Sequence, residues 1–511
     1  MIAELDASIE QAAAVLGVYT FVLAVALLVA GRVRDRRIAG AGALVFAAAS
    51  LGCGIADTIE MLLALRAVQA VGAAALLVGA FTLLDAGGRG RRAWTATAIF
   101  GFAAGPALGG ALTQAFDWRA IFLVQAPVAA AAAAAAWRLH LADRGSGARE
   151  SREAVDSRGS FGPFMALALL SAALVGVLFL LVLLLVTGWS TSPLAAAAAV
   201  TVLPAAAVAA ARVPGRARTR AAAGSVLVGA GVLMLVSLPG ADLWWTVVPQ
   251  LLAGIGLGLA LPALAGELLP EDTAEQAANL LALRHAGITA ALILLAPVAA
   301  AQLDDAVAET RLEGTALVLD ARLPPLEKLS LAGTLIGDID PVDPRGQLEA
   351  SLARARPEVD DKPAFDALAE RADETFVAGV QDAFAPAFAI CAALALLAAL
   401  ALLPWDRRVL AVAVGAVLLV GARLALPVSE PEPVRIADPC RPRDLPSTGG
   451  IDGALQDAAL AALDRAACRF GSSREELALA LVDSDAREDY EREYGVDPRS
   501  VGGVLGGVLG F

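Results

Sequence analysis

Apolar residues along this chain fall into long uninterrupted runs, and short polar segments separate the runs. Because the runs do not alternate apolar and polar positions, they predict helices rather than strands. Each run is about 20 residues long, enough for a helix to cross the hydrocarbon core of a bilayer. The predicted spans are 11–30, 39–56, 61–84, 93–113, 119–137, 163–187, 193–212, 222–239, 243–268, 275–301, 382–403 and 409–427.

Composition favours the same fold class, an all-α polytopic membrane protein with about 12 spans. The chain has 511 residues, of which 58% are hydrophobic and only 18% are charged. Soluble proteins carry about 25% charged residues. The formal net charge is −13, and most of the acids lie in two late polar segments. The first residues, MIAELDASIEQ, lack a basic start, so no cleavable signal peptide is expected.

Arginines concentrate in alternate loops between the predicted spans, and the intervening short loops contain few basic residues. The acidic loop LPEDT at 269–273 is the exception, but acids count little in setting orientation. Short arginine-rich loops stay in the cytoplasm, and this rule sets the predicted orientation. The N-terminus, segment 302–381 and everything after about residue 428 are then expected outside the membrane. The arginine-rich loops are 31–37, 89–92, 138–158, 212–220 and 407–408.

The C-terminal segment 429–511 is expected to form a small α-rich domain outside the membrane. It opens with a proline-rich linker and then contains an amphipathic stretch. Ser473 and Glu476 have the spacing of a helix capping box. Cys440 and Cys468 both belong to this external segment, where disulfides persist, and we expect them to pair.

Two segments, GRVRDR at 31–36 and GRARTR at 215–220, share the pattern G-R-x-R-x-R and lead into spans of small residues. This repeat predicts two pseudo-symmetric helical bundles, as in one large class of transporters.

The second half has a span ahead of its repeat that the first half does not match. Either a start codon upstream of Met1 or a protein that lacks this helix would explain the difference. The predicted divisions are 1–138, the first bundle; 139–162, a cytoplasmic interdomain loop; 163–301 with 382–404, the second bundle; 302–381, an external insertion; 405–428, an additional span; and 429–511, the external domain.

Four segments resemble motifs of the major facilitator superfamily, and most closely of its 14-helix drug:H+ antiporter branch. The resemblance covers about residues 2–404 and implies two helical bundles that export small compounds. The chain begins where the first helix of the family would end, which leaves eleven transport helices and one added span. Residues 409–511 have no counterpart in that branch, and its extra helix pair between the halves is not found. The four segments are GRVRDRR at 31–37, LRAVQAVGAA at 65–74, GPALGGALTQAFDWRAIFLVQAP at 105–127 and LLALRHAG at 280–287.

The third segment resembles the antiporter motif on the fifth helix of the family. Small residues let two helix backbones approach closely in a bilayer. Gly101, Gly105 and Gly109 share one helix face, and we expect that face to contact the second half. Pro106 can bend the helix, and Gly110 adds a further small position. The resemblance implies that this contact seals the binding cavity; close packing alone is the alternative.

The second and fourth segments place polar residues inside predicted spans. Arg66 is costly there unless it faces a cavity or a partner, so it is a candidate for the transport cavity or for coupling. Gln69 lies one turn away and can share its polar cluster. Arg284 and His285 are candidates in the second half, because a histidine can titrate near neutral pH. The alternatives are an arginine that snorkels to the interface and a packed polar histidine.

The first segment resembles the cytoplasmic loop motif, with Gly31, Asp35 and Arg36 in place. The family sets this aspartate against the end of a helix from the other half, as a gate. The motif is short after Arg36, which counts against that role. The spans of the first half carry no carboxylate near their middle, so proton coupling is left open.

These observations predict an alternating-access exporter of small amphipathic or lipophilic compounds. The expected partners are the lipid bilayer, a small-molecule substrate and, if transport is coupled, protons. No enzyme activity, cofactor, metal or nucleic acid is expected, because no motif for them stands out, and the oligomeric state is open. Two alternatives are a non-transporting relative whose external domain binds a partner or cell-wall component, and a metabolite transporter.

Overall fold

A computed structural model describes residues 2–5, 7–33, 35, 37–84, 88–143, 161–265, 267–269, 273–324, 327–328, 331, 344–425, 434–446 and 450–500. Helices make up the secondary structure of these residues, apart from an isolated bridge between Ala265 and Leu269. The predicted all-α fold class is therefore confirmed for the described chain.

Helices α1 to α7 form the first half. Ser8 begins α2 through a capping box with Gln11, which satisfies two backbone amides at the helix start. The last span of this half is interrupted at Val124, three residues before Pro127, which has no amide hydrogen to continue the helix. The helices are α1 Ile2–Leu5, α2 Ile9–Ala30, α3 Ile38–Gly54, α4 Ile59–Leu84, α5 Gly88–Ala115, α6 Ala120–Leu123 and α7 Gln125–Asp143.

The second half and the outer segments contain helices α8 to α19. The span predicted at 193–212 is interrupted at Thr201, because Pro204 cannot donate to the carbonyl oxygen of Val200. A π-helical turn, Leu184–Gly188, extends α8. The helices are α8 Phe161–Leu183, α9 Pro193–Val200, α10 Val202–Ala210, α11 Ala217–Leu233, α12 Trp244–Leu264, α13 Ala274–Asp320, α14 Pro344–Ala355, α15 Lys362–Leu400, α16 Arg407–Ala425, α17 Gly450–Phe470, α18 Arg474–Val482 and α19 Ser484–Tyr494.

Nine of the described helical segments are long and apolar enough to cross a membrane. The remaining predicted spans fall in α3, α5 and α11. Helices α3 and α11 have 17 residues each, slightly fewer than a typical span. Helix α5 begins with the arginines of loop 89–92 and also contains glycines, threonines and a proline, and these residues lower its mean hydropathy.

Both halves repeat one internal contact between neighbouring helices, α3 on α4 and α11 on α12. A Cβ on Gly42 would lie 2.5 Å from the backbone nitrogen of Leu76, and one on Gly224 would lie 2.4 Å from the carbonyl oxygen of Gly256. No real side chain tolerates such distances, so both contacts require glycine. Small residues thus bring the helix backbones together in each half.

The described residues of segment 302–381 extend two of the predicted membrane helices into a small cap beyond the ends of their predicted spans. Helix α13 runs for 47 residues and α15 for 39, so both extend well beyond the predicted spans. Arg345 on α14 donates to the carboxylate of Asp373 at 2.7 and 2.8 Å and to the carbonyl oxygen of Trp189 at 3.3 Å. The cap is thereby fastened to the second half. Its apolar core comprises Val318, Leu323, Leu331, Leu352, Ala355, Val359, Phe365 and Leu368.

Helices α17 to α19 form a C-terminal domain that docks on the C-terminal end of α13. A disulfide joins Cys440 to Cys468, with their Cα atoms 5.0 Å apart, and ties the linker to α17. Arg474 on α18 donates to Asp320 at 2.7 Å. A second ion pair joins Arg311 of α13 to Asp483. The core of the domain comprises Ala466, Ala467, Leu477, Ala480 and Tyr490.

Candidate transport site at the seam between the halves

Helix α5 contacts α4 and α6 of its own half, but it packs most extensively against α9 of the second half. A Cβ on Gly110 would lie 2.1 Å from the Cβ of Ala197 and 2.7 Å from the carbonyl oxygen of Pro193. Only glycine fits at this position. Pro106 lies inside α5, one turn before Gly110 on the same side of the helix.

The structure corrects the predicted contact face of α5. A Cβ on Gly101, Gly105 or Gly109 would meet no atom within 4 Å, so these three glycines do not line the close contact. Their spacing shows that they share a face, but it does not show which neighbour that face meets. Gly110 points about 100° further round the helix than Gly109, and it is the residue at the seam.

Helix α13 of the second half makes the reciprocal contact, along α2 of the first half. A Cβ on Gly31 would lie 2.7 Å from the Cβ of Ala278, so the backbones meet closely at this end. Further along, the hydroxyl of Thr289 donates to the hydroxyl of Thr20 at 2.9 Å in a buried position. The apolar cluster between these contacts includes Leu23, Leu27, Ala30, Ala278 and Ala282.

Arg66 on α4 is the centre of a buried polar cluster in the first half. Its Nε donates to the carbonyl oxygen of Val15 at 3.1 Å, and its Nη1 donates to Oε1 of Gln69 at 2.6 Å. The amide nitrogen of Gln69 donates in turn to Ser50 Oγ at 2.8 Å and to Gln125 Oε1 at 3.2 Å. Gln69 is fully buried. Its hydrogen bond with Arg66 shows that the structure brings these two predicted residues together.

The positive charge of Arg66 faces aromatic rings. Its guanidinium carbon lies 4.0 Å from the ring centroid of Tyr19 and 5.6 Å from that of Phe122. Aromatic faces attract cations, and the attraction grows when water is excluded. Among the described residues no carboxylate forms an ion pair with Arg66, which is only 9% exposed.

Arg284 and His285 lie on α13, close to the seam. The ring of His285 donates from Nδ1 to the carbonyl oxygen of Leu281 at 2.7 Å. Thr289, the seam residue, follows one turn later on the same helix. Arg284 is half-buried, and no described hydrogen bond joins either residue to the Arg66 cluster.

The loop motif shows close contact between the halves at Gly31, whereas the described contact of Asp35 is local. Oδ1 of Asp35 accepts from the backbone nitrogen of Arg37 at 2.9 Å. Thr273 and Gln276 form the capping box that satisfies the first turn of α13, so that helix start has its own cap. Arg36 lies outside the described residues.

The tryptophan and arginine after the α5 motif pin the N-terminus to the outer end of the first half. Trp118 Nε1 and Arg119 Nη1 both donate to Glu4 Oε2, at 2.8 and 2.5 Å. These hydrogen bonds, first that of Trp118, hold the pKa of the Glu4 carboxyl below its ordinary value. Arg119 also donates to the carbonyl oxygen of Ala56 at 3.2 Å.

The second arginine-rich repeat holds the loop before α16. Arg218 donates to the carbonyl oxygen of Leu402 at 3.1 Å, and Thr219 Oγ1 donates to Asp406 Oδ2 at 2.5 Å. The bond from Thr219 is the main cause that lowers the pKa of Asp406. The additional span is thus attached to the second half at its arginine-rich end.

Sequence reasoning missed the residues that complete the site. Tyr19, Thr20 and Ser50 lie on helices that precede α4, and Gln125 and Thr289 follow it far along the chain. No local spacing connects them. A hydroxyl or amide in an apolar span is the signal that could have pointed to Thr20, Ser50, Gln125 and Thr289, since such groups need buried partners.

These features define a class, a multi-pass all-α membrane protein built from two helical bundles with a polar cluster in the first. The sequence model of the Major Facilitator Superfamily matches residues 1–297. The chain therefore belongs to this family, whose members are membrane transporters and not enzymes.

Several relatives carry names connected with resistance or export. The methylenomycin A resistance protein of Streptomyces coelicolor is 32% identical over 209 residues, 39% of this chain and 42% of that protein. Multidrug resistance protein Stp of Mycobacterium tuberculosis is 36% identical over 122 residues, 22% of each chain. Cephamycin export protein CmcT of Amycolatopsis lactamdurans is 40% identical over 121 residues, 22% of this chain and 25% of that protein. The matched part spans less than half the length of each relative.

Solved structures also match. A crystal structure of a bacterial homolog to human lysosomal transporter Spinster, in an inward-facing and occupied conformation, aligns with a TM-score of 0.47 and 16% identity. The alignment covers 78% of this chain and 90% of that one. The inward-facing and unoccupied form aligns with a TM-score of 0.49 over 80% of this chain and 93% of that one.

Proposed function

We propose that the protein exports small amphipathic or lipophilic compounds by alternating access between its two bundles. The observation that supports this most strongly is the reciprocal contact at the seam: α5 of the first half lies against α9, and α13 of the second half lies against α2. One helix of each bundle therefore packs against a helix of the other bundle. Such an arrangement lets two halves rock about a shared seam without separating.

The chemistry of the seam favours movement. Its close contacts are made by Gly110 with Ala197 and by Gly31 with Ala278, and its described hydrogen bond joins Thr20 to Thr289. Contacts between small apolar groups have no strong directional preference, and one neutral hydrogen bond contributes only about 1 kcal/mol. Two rigid bundles can slide along such a surface at small cost.

The names of three relatives support export as the direction of transport, because they describe resistance to or export of antibiotics and drugs. Outward export also fits the proposed orientation, in which the arginine-rich loops face the cytoplasm. The cap on α13 and α15 and the C-terminal domain then lie outside the cell.

Proton coupling would need a group that titrates at the seam. His285 is placed for this, because it lies one turn from Thr289 on α13 and imidazole changes charge near neutral pH. We therefore include the proton gradient as a variable in the test of export.

The test measures accumulation of a broad set of amphipathic compounds in cells that express the wild type or the variant Gly110→Leu. We expect lower accumulation with the wild type, and no reduction with the variant, because leucine cannot fit against Ala197. Two results together would support proton coupling: a protonophore raises accumulation in cells with the wild type, and His285→Gln no longer lowers accumulation. Cells without the protein are the reference, and equal accumulation in these cells and in cells with the wild type across the whole set would disprove export. If the variant lowered accumulation as much as the wild type, the contact at Gly110 would not be needed for transport.

A further inference from the structure

We infer that the exported compounds carry an anionic group and that Arg66 binds it. This inference rests on the proposed export function and adds the chemical class of the substrate. It starts from a guanidinium that lies deep in the first bundle, about 10 Å along α4 from the first residue of that helix, and that has no carboxylate partner among the described residues.

Neutral groups already use two of the three guanidinium nitrogens. Nε donates to Val15 and Nη1 donates to Gln69. Nη2 donates to no described residue, and it is not one of the fully enclosed polar atoms without a partner. Of the five N–H groups of the guanidinium, the two on Nη2 and the second one on Nη1 donate to no described residue, so they stay available to a ligand.

The surroundings orient the guanidinium but leave its charge uncompensated. The ring of Tyr19 stacks on it at 4.0 Å, and Gln69 is held by Ser50 and Gln125. Carbonyl, amide and ring dipoles stabilise a cation without removing its net charge. A charge inside a membrane protein is costly unless it is paired or faces a cavity, so the arrangement favours entry of an anion.

A carboxylate matches this donor better than a neutral or cationic headgroup. The guanidinium fork and the carboxylate have complementary planar geometry and opposite charge. Tyr19 and Phe122 also offer apolar ring surface beside the charge, which suits the carbon skeleton of an amphipathic acid. A cationic amphipath would meet repulsion from Arg66 at the same place.

Binding is tested on the purified full chain in nanodiscs of zwitterionic lipid. Decanoate, decanamide and decyltrimethylammonium share one apolar chain and differ in headgroup charge. Thermal shifts at rising concentration give an apparent Kd for each compound. We expect decanoate to bind about tenfold more tightly than decanamide, and decyltrimethylammonium to bind most weakly.

Variants assign the preference to one arginine. Arg66→Gln should remove the preference for decanoate, and Arg66→Lys should retain part of it, because lysine keeps the charge but not the planar fork. Arg423→Gln is the matched control. Arg423 also donates to a backbone carbonyl, that of Ser237, and also lies over an aromatic ring, that of Trp245, but on the additional span.

Three outcomes would overturn the inference: similar Kd values for the three compounds, a preference for decanoate that survives in both Arg66 variants, or a preference that Arg423→Gln removes equally. A lipid phosphate is the other source of an anion. If phosphatidylglycerol alone stabilised the wild type through Arg66 and abolished the effect of decanoate, the lipid would be the ligand and the inference would be wrong.

Export is measured separately, so the two hypotheses can fail independently. Export of compounds without a preference for anions would contradict only the inference about Arg66. Arg66-dependent binding of decanoate without export of any compound would contradict the proposed function.

Discussion

Two adjacent glycines on α5 have different surroundings and allow a matched pair of substitutions. A Cβ on Gly110 would come within 2.1 Å of Ala197, whereas one on Gly109 would meet no atom within 4 Å. Gly110→Ala is therefore expected to destabilise the protein by about 1–3 kcal/mol through overpacking. Gly109→Ala is expected to be neutral or to stabilise by up to about 1 kcal/mol, since alanine is the better helix former.

Thermal unfolding of both variants in nanodiscs measures this difference, and export assays show whether it affects transport. We expect a lower melting temperature and weaker export for Gly110→Ala only. An equal fall in melting temperature and export in the two variants would mean that all the glycines of α5, and not Gly110 alone, are needed for packing. Loss in Gly109→Ala alone would contradict the contact at Gly110.

Lys328 gives the outer cap a predicted pH dependence. It is 6% exposed, and its Nζ donates to the carbonyl oxygen of Leu319 at 2.6 Å near the end of α13. Burial lowers its pKa from 10.5 to about 8. The charged form is thus disfavoured in the folded state, so stability is lowest below pH 8 and rises between pH 8 and about 10.5.

Comparison with Lys328→Met isolates this effect. Between pH 7 and 9.5 the wild type should gain about 2 kcal/mol relative to the variant. Thermal unfolding of the two proteins at several pH values measures the change in their stability difference. A constant difference over this range, or one that grows towards lower pH, would contradict a lowered pKa.

The sequence predicted individual site residues where a residue type conflicts with its surroundings. Arg66 stood out because a charge within an apolar span is costly, and Gln69 followed from helix geometry. Tyr19, Ser50 and Gln125 could not be found in this way, because they reach the cluster from other helices. Gly109 and Gly110 show the same limit, since composition does not reveal which way a residue points.

At the scale of elements, apolar runs predicted where the helices cross the membrane but not where they end. The predicted span 275–301 is only part of α13, which continues to Asp320. Hydropathy reports the solvent that surrounds a segment, whereas the helix is held by its own backbone hydrogen bonds and continues into water. Contacts with α14, α15 and α18 stabilise the extension, and these contacts are not local in sequence.

The attachment of the C-terminal domain to α13 depends on a buried arginine. Arg474 is fully buried and donates to both Asp320 and Glu475, and Glu475 is itself 1% exposed on its side chain. Arg474→Met would leave the carboxylate of Glu475 buried, with Arg443 at 3.5 Å as its one remaining ion-pair partner among the described residues. Breaking a buried pair in this way costs about 3–5 kcal/mol, so we expect the domain to detach.

Hydrogen exchange of the backbone amides measures detachment. If the domain detaches in Arg474→Met, the amides of both 474–482 and 311–320 should exchange faster than in the wild type. Arg492→Met is the control, because Arg492 pairs with Asp489 at a solvent-exposed site and such pairs contribute at most about 1 kcal/mol. Faster exchange in the domain without any change in 311–320 would show that Arg474 stabilises the domain internally and does not attach it to α13.

At the scale of the whole molecule, the repeated G-R-x-R-x-R pattern predicted two similar halves. The glycines of α5 predicted that this helix contacts the second half, although on the wrong face. Neither they nor the repeat predicted that α13 lies against α2, because that contact depends on the complementary shapes of two helices far apart in the chain. The described contacts of α16 place its arginine-rich start and its C-terminal end at opposite ends of the second half. Arg218 contacts the loop before α16, and Arg423 near the far end of α16 contacts Ser237.

The orientation of these two ends is the remaining whole-molecule prediction. Arginine-rich loops should face the cytoplasm, so Cys440 and Cys468 should lie outside. Cys53 and Cys391 are fully buried and should not react.

In spheroplasts, an impermeant reductant followed by an impermeant maleimide should label the wild type, and Cys440→Ser with Cys468→Ser should abolish the signal. In this Cys440→Ser, Cys468→Ser background, which keeps only the two buried cysteines, Val213→Cys in the loop before α11 should be labelled only after permeabilisation. The reverse pattern would invert the topology, and the cap, the C-terminal domain and the proposed direction of transport would then have to be exchanged between the two sides of the membrane.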